Sequence, residues 1–126
     1  MDECNRSIEC LAQALRTLRL QPAWDEYEIH AAVMDCFTRC GISYVHEAVL
    51  APRCRADFLI DGCVVLEIKR GKPSPSVYRK QLDRYLACEQ VKACVLVAEK
   101  RLYLPKKIQG KPCFTLSLSE LWGVAL

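Results

Sequence analysis

Arg55-Ala56-Asp57-Phe58-Leu59-Ile60-Asp61-Gly62-Cys63-Val64-Val65-Leu66-Glu67-Ile68-Lys69 is the stretch whose reading decides the fold. Leu59-Ile60 and Val64-Val65-Leu66 are β-rich runs on either side of Asp61-Gly62, a strong hairpin signal. The pattern predicts strands over 53–60 and 63–69. In the second strand, alternation puts Val64, Leu66 and Ile68 on one wholly apolar face and Val65, Glu67 and Lys69 on the other. A carboxylate and an ammonium two residues apart on the open face have the geometry of a cation site beside a fixed positive charge. An exposed Glu–Lys pair on an edge strand has the same spacing, so the neighbouring residues must decide.

Those neighbours are Asp57, in the preceding strand, and Gln81-Leu82-Asp83-Arg84-Tyr85, in the helical segment that follows. Asp, then Glu-x-Lys, then Gln-x-x-x-Tyr resembles the PD-(D/E)XK nuclease superfamily, its RecB-like branch most closely, over residues 24–98. Ala56 stands where the family usually places Pro. The resemblance implies an α/β, restriction-endonuclease-like fold: an αβββαβ core with a mixed sheet flanked by helices. It implies a metal-dependent nuclease that hydrolyses phosphodiester bonds, in DNA by preference, with Mg²⁺ or Mn²⁺ as cofactor. Asp57, Glu67 and the backbone carbonyl of Ile68 would then hold the metal, and Lys69 would orient the water or stabilise the transition state. Gln81 would position a ligand or phosphate, while Tyr85 reads as packing. Two other readings stay open, a dimeric Holliday-junction-type resolvase and a nuclease-like nucleic-acid-binding or inhibitory module without catalysis. Intact Asp57, Glu67 and Lys69 weigh against the latter.

A shared metal makes a demand on the hairpin. A regular two-residue Asp61-Gly62 turn would pair Ile60 with Cys63 and set Asp57 across from Leu66, pointing away from Glu67. Both carboxylates reach one face only if the loop takes in Cys63 or a strand carries a β-bulge.

The family also places a Glu on the first core helix. The helix predicted from about Asp25 to Gly41 carries Ile29, Val33, Cys36, Phe37 and Cys40 along one stripe. Glu26 lies on that stripe and Glu28 about a quarter-turn aside, so geometry favours Glu26; both could equally be first-turn acids complementing the helix dipole. His30 reads as a flanking contact. Over 43–50, a first strand places Tyr44, His46, Ala48 and Leu50 on one face and Val45, Glu47 and Val49 on the other. Glu47 reads as a solvated strand residue or an outer-sphere carboxylate.

Beyond Lys69, a Pro-rich connector with Arg70 and Lys72 leads into a helix at about 76–89, whose outer side carries Arg79, Lys80 and Arg84. Arg70, Lys72, Arg79 and Lys80 are the candidate nucleic-acid contacts. Residues 92–98 read as a buried strand, parallel to the motif strand because a helix connects them. An extra N-terminal helix over 4–19, a last strand over 113–118 and a short helix around Trp122 complete the pattern.

The 126 residues bound a single nuclease-like domain, its core about 24–118, and the net charge of +3 is compatible with a polyanionic partner. Such a small core contacts few base pairs, which points to a homodimer. Nine cysteines are scattered without a Cys-x-x-Cys, which argues against an iron–sulfur cluster or structural zinc, and no secretory leader is read. No apolar run approaches a membrane span, and cytoplasmic localisation is the expectation.

Overall fold

A computed structural model describes residues 3–71, 74–100 and 102–121. In chain order the elements are α1 (Glu3–Thr17), α2 (Glu26–Cys40), β1 (Tyr44–Ala51), β2 (Cys54–Ile60), β3 (Val64–Lys69), α3 (Pro75–Ala87), β4 (Ala93–Ala98), β5 (Lys107–Ile108), β6 (Lys111–Ser117) and a 3₁₀ turn, Leu118–Leu121. Six strands form one mixed sheet in the order β1-β2-β3-β4-β6-β5. The pairs β1–β2 and β2–β3 are antiparallel, whereas β3–β4 and β4–β6 are parallel. This is the expected restriction-endonuclease-like architecture with its additional N-terminal helix. Lys72 and the segment around Trp122 lie outside the described residues.

The sheet separates two apolar cores. On one side, Phe58, Ile60, Val64, Leu66 and Ile68 pack with Leu11 and Leu15 of α1 and Ile29, Val33 and Phe37 of α2. On the other, Val65, Cys94 and Leu96 pack with Tyr78, Leu82, Tyr85 and Leu86 of α3. The motif strand is thus covered on both faces, and Val64–Ile68 are all buried. This corrects the expectation of an open face: Glu67 retains only 1% of its exposure because α3 lies over it.

Helix α2 is fixed at both ends. Asp25 accepts from the Glu28 amide at 2.8 Å, and Glu28 Oε1 accepts from the Asp25 amide at 3.2 Å, a complete capping box. At the other end Gly41 takes φ +72°, and the Ile42 amide returns to the Phe37 carbonyl at 2.9 Å.

The regular alternation expected for β1 fails at Glu47, whose φ is +55°. Tyr44 packs with the α1/α2 core while Leu50, also even-numbered, packs with the α3 core. A left-handed residue inside a strand reverses the pleat, so residues before and after it serve opposite faces of the sheet.

Candidate active site

The β2–β3 loop consists of Asp61, Gly62 and Cys63, and Ile60 pairs with Val64, Leu59 with Val65, and Phe58 with Leu66. Asp61 and Gly62 both take positive φ, and the Cys63 amide closes the turn on the Ile60 carbonyl at 3.0 Å. The loop therefore takes in Cys63, one of the two devices a shared site requires. Continuing the register by one residue sets Asp57 across from Glu67, and there side chains replace the ladder. The Asp57 amide donates to Glu67 Oε1 at 2.6 Å, and the Ile68 amide donates to Asp57 Oδ2 at 2.9 Å. On the other side of β2, the β1 ladder is also interrupted at this level, between the pairs His46–Phe58 and Ala48–Ala56, where Glu47 turns outward.

Lys69 Nζ stands 3.3 Å from Glu67 Oε2, an atom that accepts no hydrogen bond among the described residues. Tyr85 packs close to Glu67, but its hydroxyl donates to the Arg55 carbonyl at 3.0 Å and so braces β2 two residues before Asp57. Glu26 comes to the same end of β3, its Oε1 accepting from the Arg70 amide at 2.8 Å. Glu28 is consumed by the cap, so the helix carboxylate next to the site is Glu26.

The electrostatics separate the two strand acids. Burial, followed by repulsion from Asp57, pushes Glu67 up to about 6. Burial opposes ionisation of Asp57 as well, but His30, the Ile68 amide and Lys69 outweigh it and hold Asp57 below the usual range. For Lys69, burial is outweighed by Glu67 and Asp57, and its ammonium is held more firmly than usual.

Other candidates are placed differently. Gln81 is half-buried on α3 and makes no hydrogen bond to these carboxylates among the described residues. Arg70 does not offer a free guanidinium: Nη2 donates to the Pro22 carbonyl at 2.9 Å and Nη1 lies 3.5 Å from Glu99. Arg79 and Lys80 are exposed on α3, with Arg79 pairing Asp83 at 3.5 Å. Glu47 is exposed and pairs with Arg55 at 3.4 Å, the solvated one of its two expected roles.

Two histidines have a larger place than their sequence suggested. His30 Nε2 faces Asp57 Oδ2 at 3.5 Å, and His30 Nδ1 lies 3.0 Å from His46 Nε2. Burial works against protonation of His30, but Asp57, Glu26 and Glu67 outweigh it and raise its pKa.

A family model described as the PD-(D/E)XK nuclease superfamily matches residues 26–109, a span that runs from Glu26 through the strand acids and α3 to β5. The chain belongs to the PD-(D/E)XK nuclease superfamily. No curated protein and no solved structure gave a significant match. Nucleases of this superfamily generally use divalent metals, and the donor set can be tested against that requirement. Among the described residues, no three His, Cys, Asp or Glu side chains are gathered as a ready metal cluster. Two strand carboxylates, one with a buried and unsatisfied oxygen, fit a hard cation that keeps water in its shell.

Proposed function

We propose that the protein is a metal-dependent deoxyribonuclease whose reaction centre is formed by Asp57, Glu67 and Lys69. The observation that carries this reading is Glu67 Oε2: a buried carboxylate oxygen that accepts no hydrogen bond among the described residues, beside an ionised Asp57 and 3.3 Å from the Lys69 ammonium. Lys69 offsets part of the cost of burying this charge, and a cation between the two acids would offset more of it.

Asp57, Glu67 and the Ile68 carbonyl would hold Mg²⁺ or Mn²⁺. Bound there, the ion supplies Lewis acidity to the phosphoryl group and a more acidic water. In the metal-free protein Glu67 and Asp57 hold the Lys69 ammonium charged. Its role is to place positive charge against the phosphoryl oxygens as charge develops on them. Glu26, tied to the Arg70 amide, fixes the exit of β3 from the site and orients water on the helix side. Gln81, free of hydrogen bonds to the acids, is available to a ligand or phosphate. Exposed Arg79 and Lys80 offer a sequence-independent track for a phosphate backbone.

The test is a panel of linear, circular, single-stranded and branched DNA together with RNA, each with Mg²⁺, Mn²⁺ or EDTA. Cleavage of DNA that EDTA abolishes supports the proposal. Preferential cutting of branched substrates would favour the resolvase reading. Binding without cleavage of any substrate would favour a non-catalytic module.

A further inference from the structure

We propose that His46 and His30 form a two-imidazole positioning chain that orients Asp57 from outside the reaction centre, with His46 fixing which nitrogen of His30 carries hydrogen. The inference rests on the metal-site reading above and extends it to residues outside the strand motif.

His30 is 8% exposed on α2, and its two ring nitrogens point to different partners. Nδ1 lies 3.0 Å from His46 Nε2, while Nε2 lies 3.5 Å from Asp57 Oδ2 and meets no strict hydrogen bond among the described residues. Phe58, the residue after Asp57, supports both rings, with centroid separations of 5.2 Å to His30 and 4.8 Å to His46. The two rings meet edge to face, 5.2 Å apart at 76°. They come from α2 and β1, so the tertiary fold builds the arrangement.

Only one hydrogen can lie between His30 Nδ1 and His46 Nε2. If His30 supplied it as a neutral ring, the lone pair on Nε2 would face the Asp57 carboxylate, two electron-rich atoms 3.5 Å apart. If His46 supplies it, Nε2 of His30 carries hydrogen and donates toward Asp57. Electrostatics selects the second order, running from His46 Nε2–H to His30 Nδ1 and from His30 Nε2–H to Asp57 Oδ2. With the Ile68 amide on the same Oδ2, His30 confines that oxygen from a second direction. The 3.5 Å separation is long for an established bond, but contacts around reaction centres commonly tighten on loading.

The first readout needs no activity. Imidazole ¹⁵N–¹H correlation spectra of the metal-free protein at pH 9 should show His30 with hydrogen on Nε2 alone. His46→Leu should disturb that state, and His46→Gln, which keeps a donor at the equivalent place, should restore it. Second, Mn²⁺ binding followed by electron paramagnetic resonance should weaken by about tenfold in His30→Leu and by a smaller factor in His46→Leu. It should return to within about threefold of the parent in His30→Gln and His46→Gln. Hydrogen on Nδ1 of His30, or parental Mn²⁺ affinity in both leucine variants, overturns the chain. If the parent binds no Mn²⁺, the metal reading fails by itself and the tautomer result alone decides the histidine chain.

Discussion

Asp57 and Glu67 face each other across β2 and β3, and each accepts a backbone amide from the other's strand. The two carboxylates thereby replace ladder hydrogen bonds, at 2.6 and 2.9 Å. Function at this level of the sheet therefore has a stability consequence, because one of the two acids is buried where its charge is unwelcome.

Glu67→Gln keeps an oxygen acceptor for the Asp57 amide and removes the charge. From a pKa near 6 against an ordinary 4.5, the gain for the metal-free protein is about 1–2 kcal/mol near pH 8. Urea unfolding in EDTA should show Glu67→Gln more stable than the parent and inactive as a nuclease. A less stable Glu67→Gln protein would refute the burial argument.

The pH dependence of that gain has a definite sign. The folded-state pKa of Glu67 is raised, so the parent carries no penalty below about 4.5, acquires it as pH rises, and carries it fully above about 6. The difference between variant and parent should thus be near zero at pH 4 and reach a plateau above about 6. Asp57 runs the other way, since its lowered pKa contributes stability above the ordinary carboxylate range that is lost on acidification. Divalent metal should raise the melting temperature of the parent most above pH 6 and should do much less for Glu67→Gln.

Lys69→Met should lower cleavage by about 10²–10³-fold while leaving nucleic-acid affinity and the fold intact. Gel-shift and single-turnover assays separate these outcomes. A Lys69→Met protein that cuts at the parental rate would remove the ammonium from the mechanism.

The turn offers a test by deletion. Removing Cys63 leaves the two-residue Asp61-Gly62 turn, which still joins Ile60 to Val64 and so keeps Asp57 opposite Glu67. Cleavage and metal binding should therefore survive the deletion, as they should in Cys63→Ala. Loss of both in a folded deletion variant would show that something in the loop other than the register controls the site.

A homodimer remains the expected acting form, since it would lengthen the track for nucleic acid. Light scattering at micromolar concentration should give about twice the monomer mass. A fully active monomer would count against it.

Much of this arrangement was legible in the residues. The strand periodicity of Val64-Val65-Leu66-Glu67-Ile68-Lys69, the acid in the preceding strand and the crossover helix were enough to give the core and its topology. Choosing between Glu26 and Glu28 was possible in principle, because Asp25-x-x-Glu28 is a capping-box spacing that withdraws Glu28 from any other duty. The burial of Glu67 was hidden by reading its face from one strand, whereas the covering helix belongs to a segment beyond a Pro-rich connector. The commitment of Arg70 to Pro22 and Glu99 was equally remote in sequence. The histidine pair needed both the positions of α2 and β1 and the reversed pleat at Glu47, and no local propensity announces a Glu with positive φ inside a strand.

That reversal at Glu47 also bears on how copies of the chain can meet. β1 is one border of the sheet, and it exposes Val45 and Val49, an invitation for another strand to add. The outward turn of Glu47 between them, with Arg55 across from it, breaks the straight row of amides and carbonyls that strand addition needs and sets charge in the gap. The opposite border is β5, only two residues long. Both margins are therefore poor templates for growth by backbone pairing, so copies of the chain can crowd together without seeding fibrils.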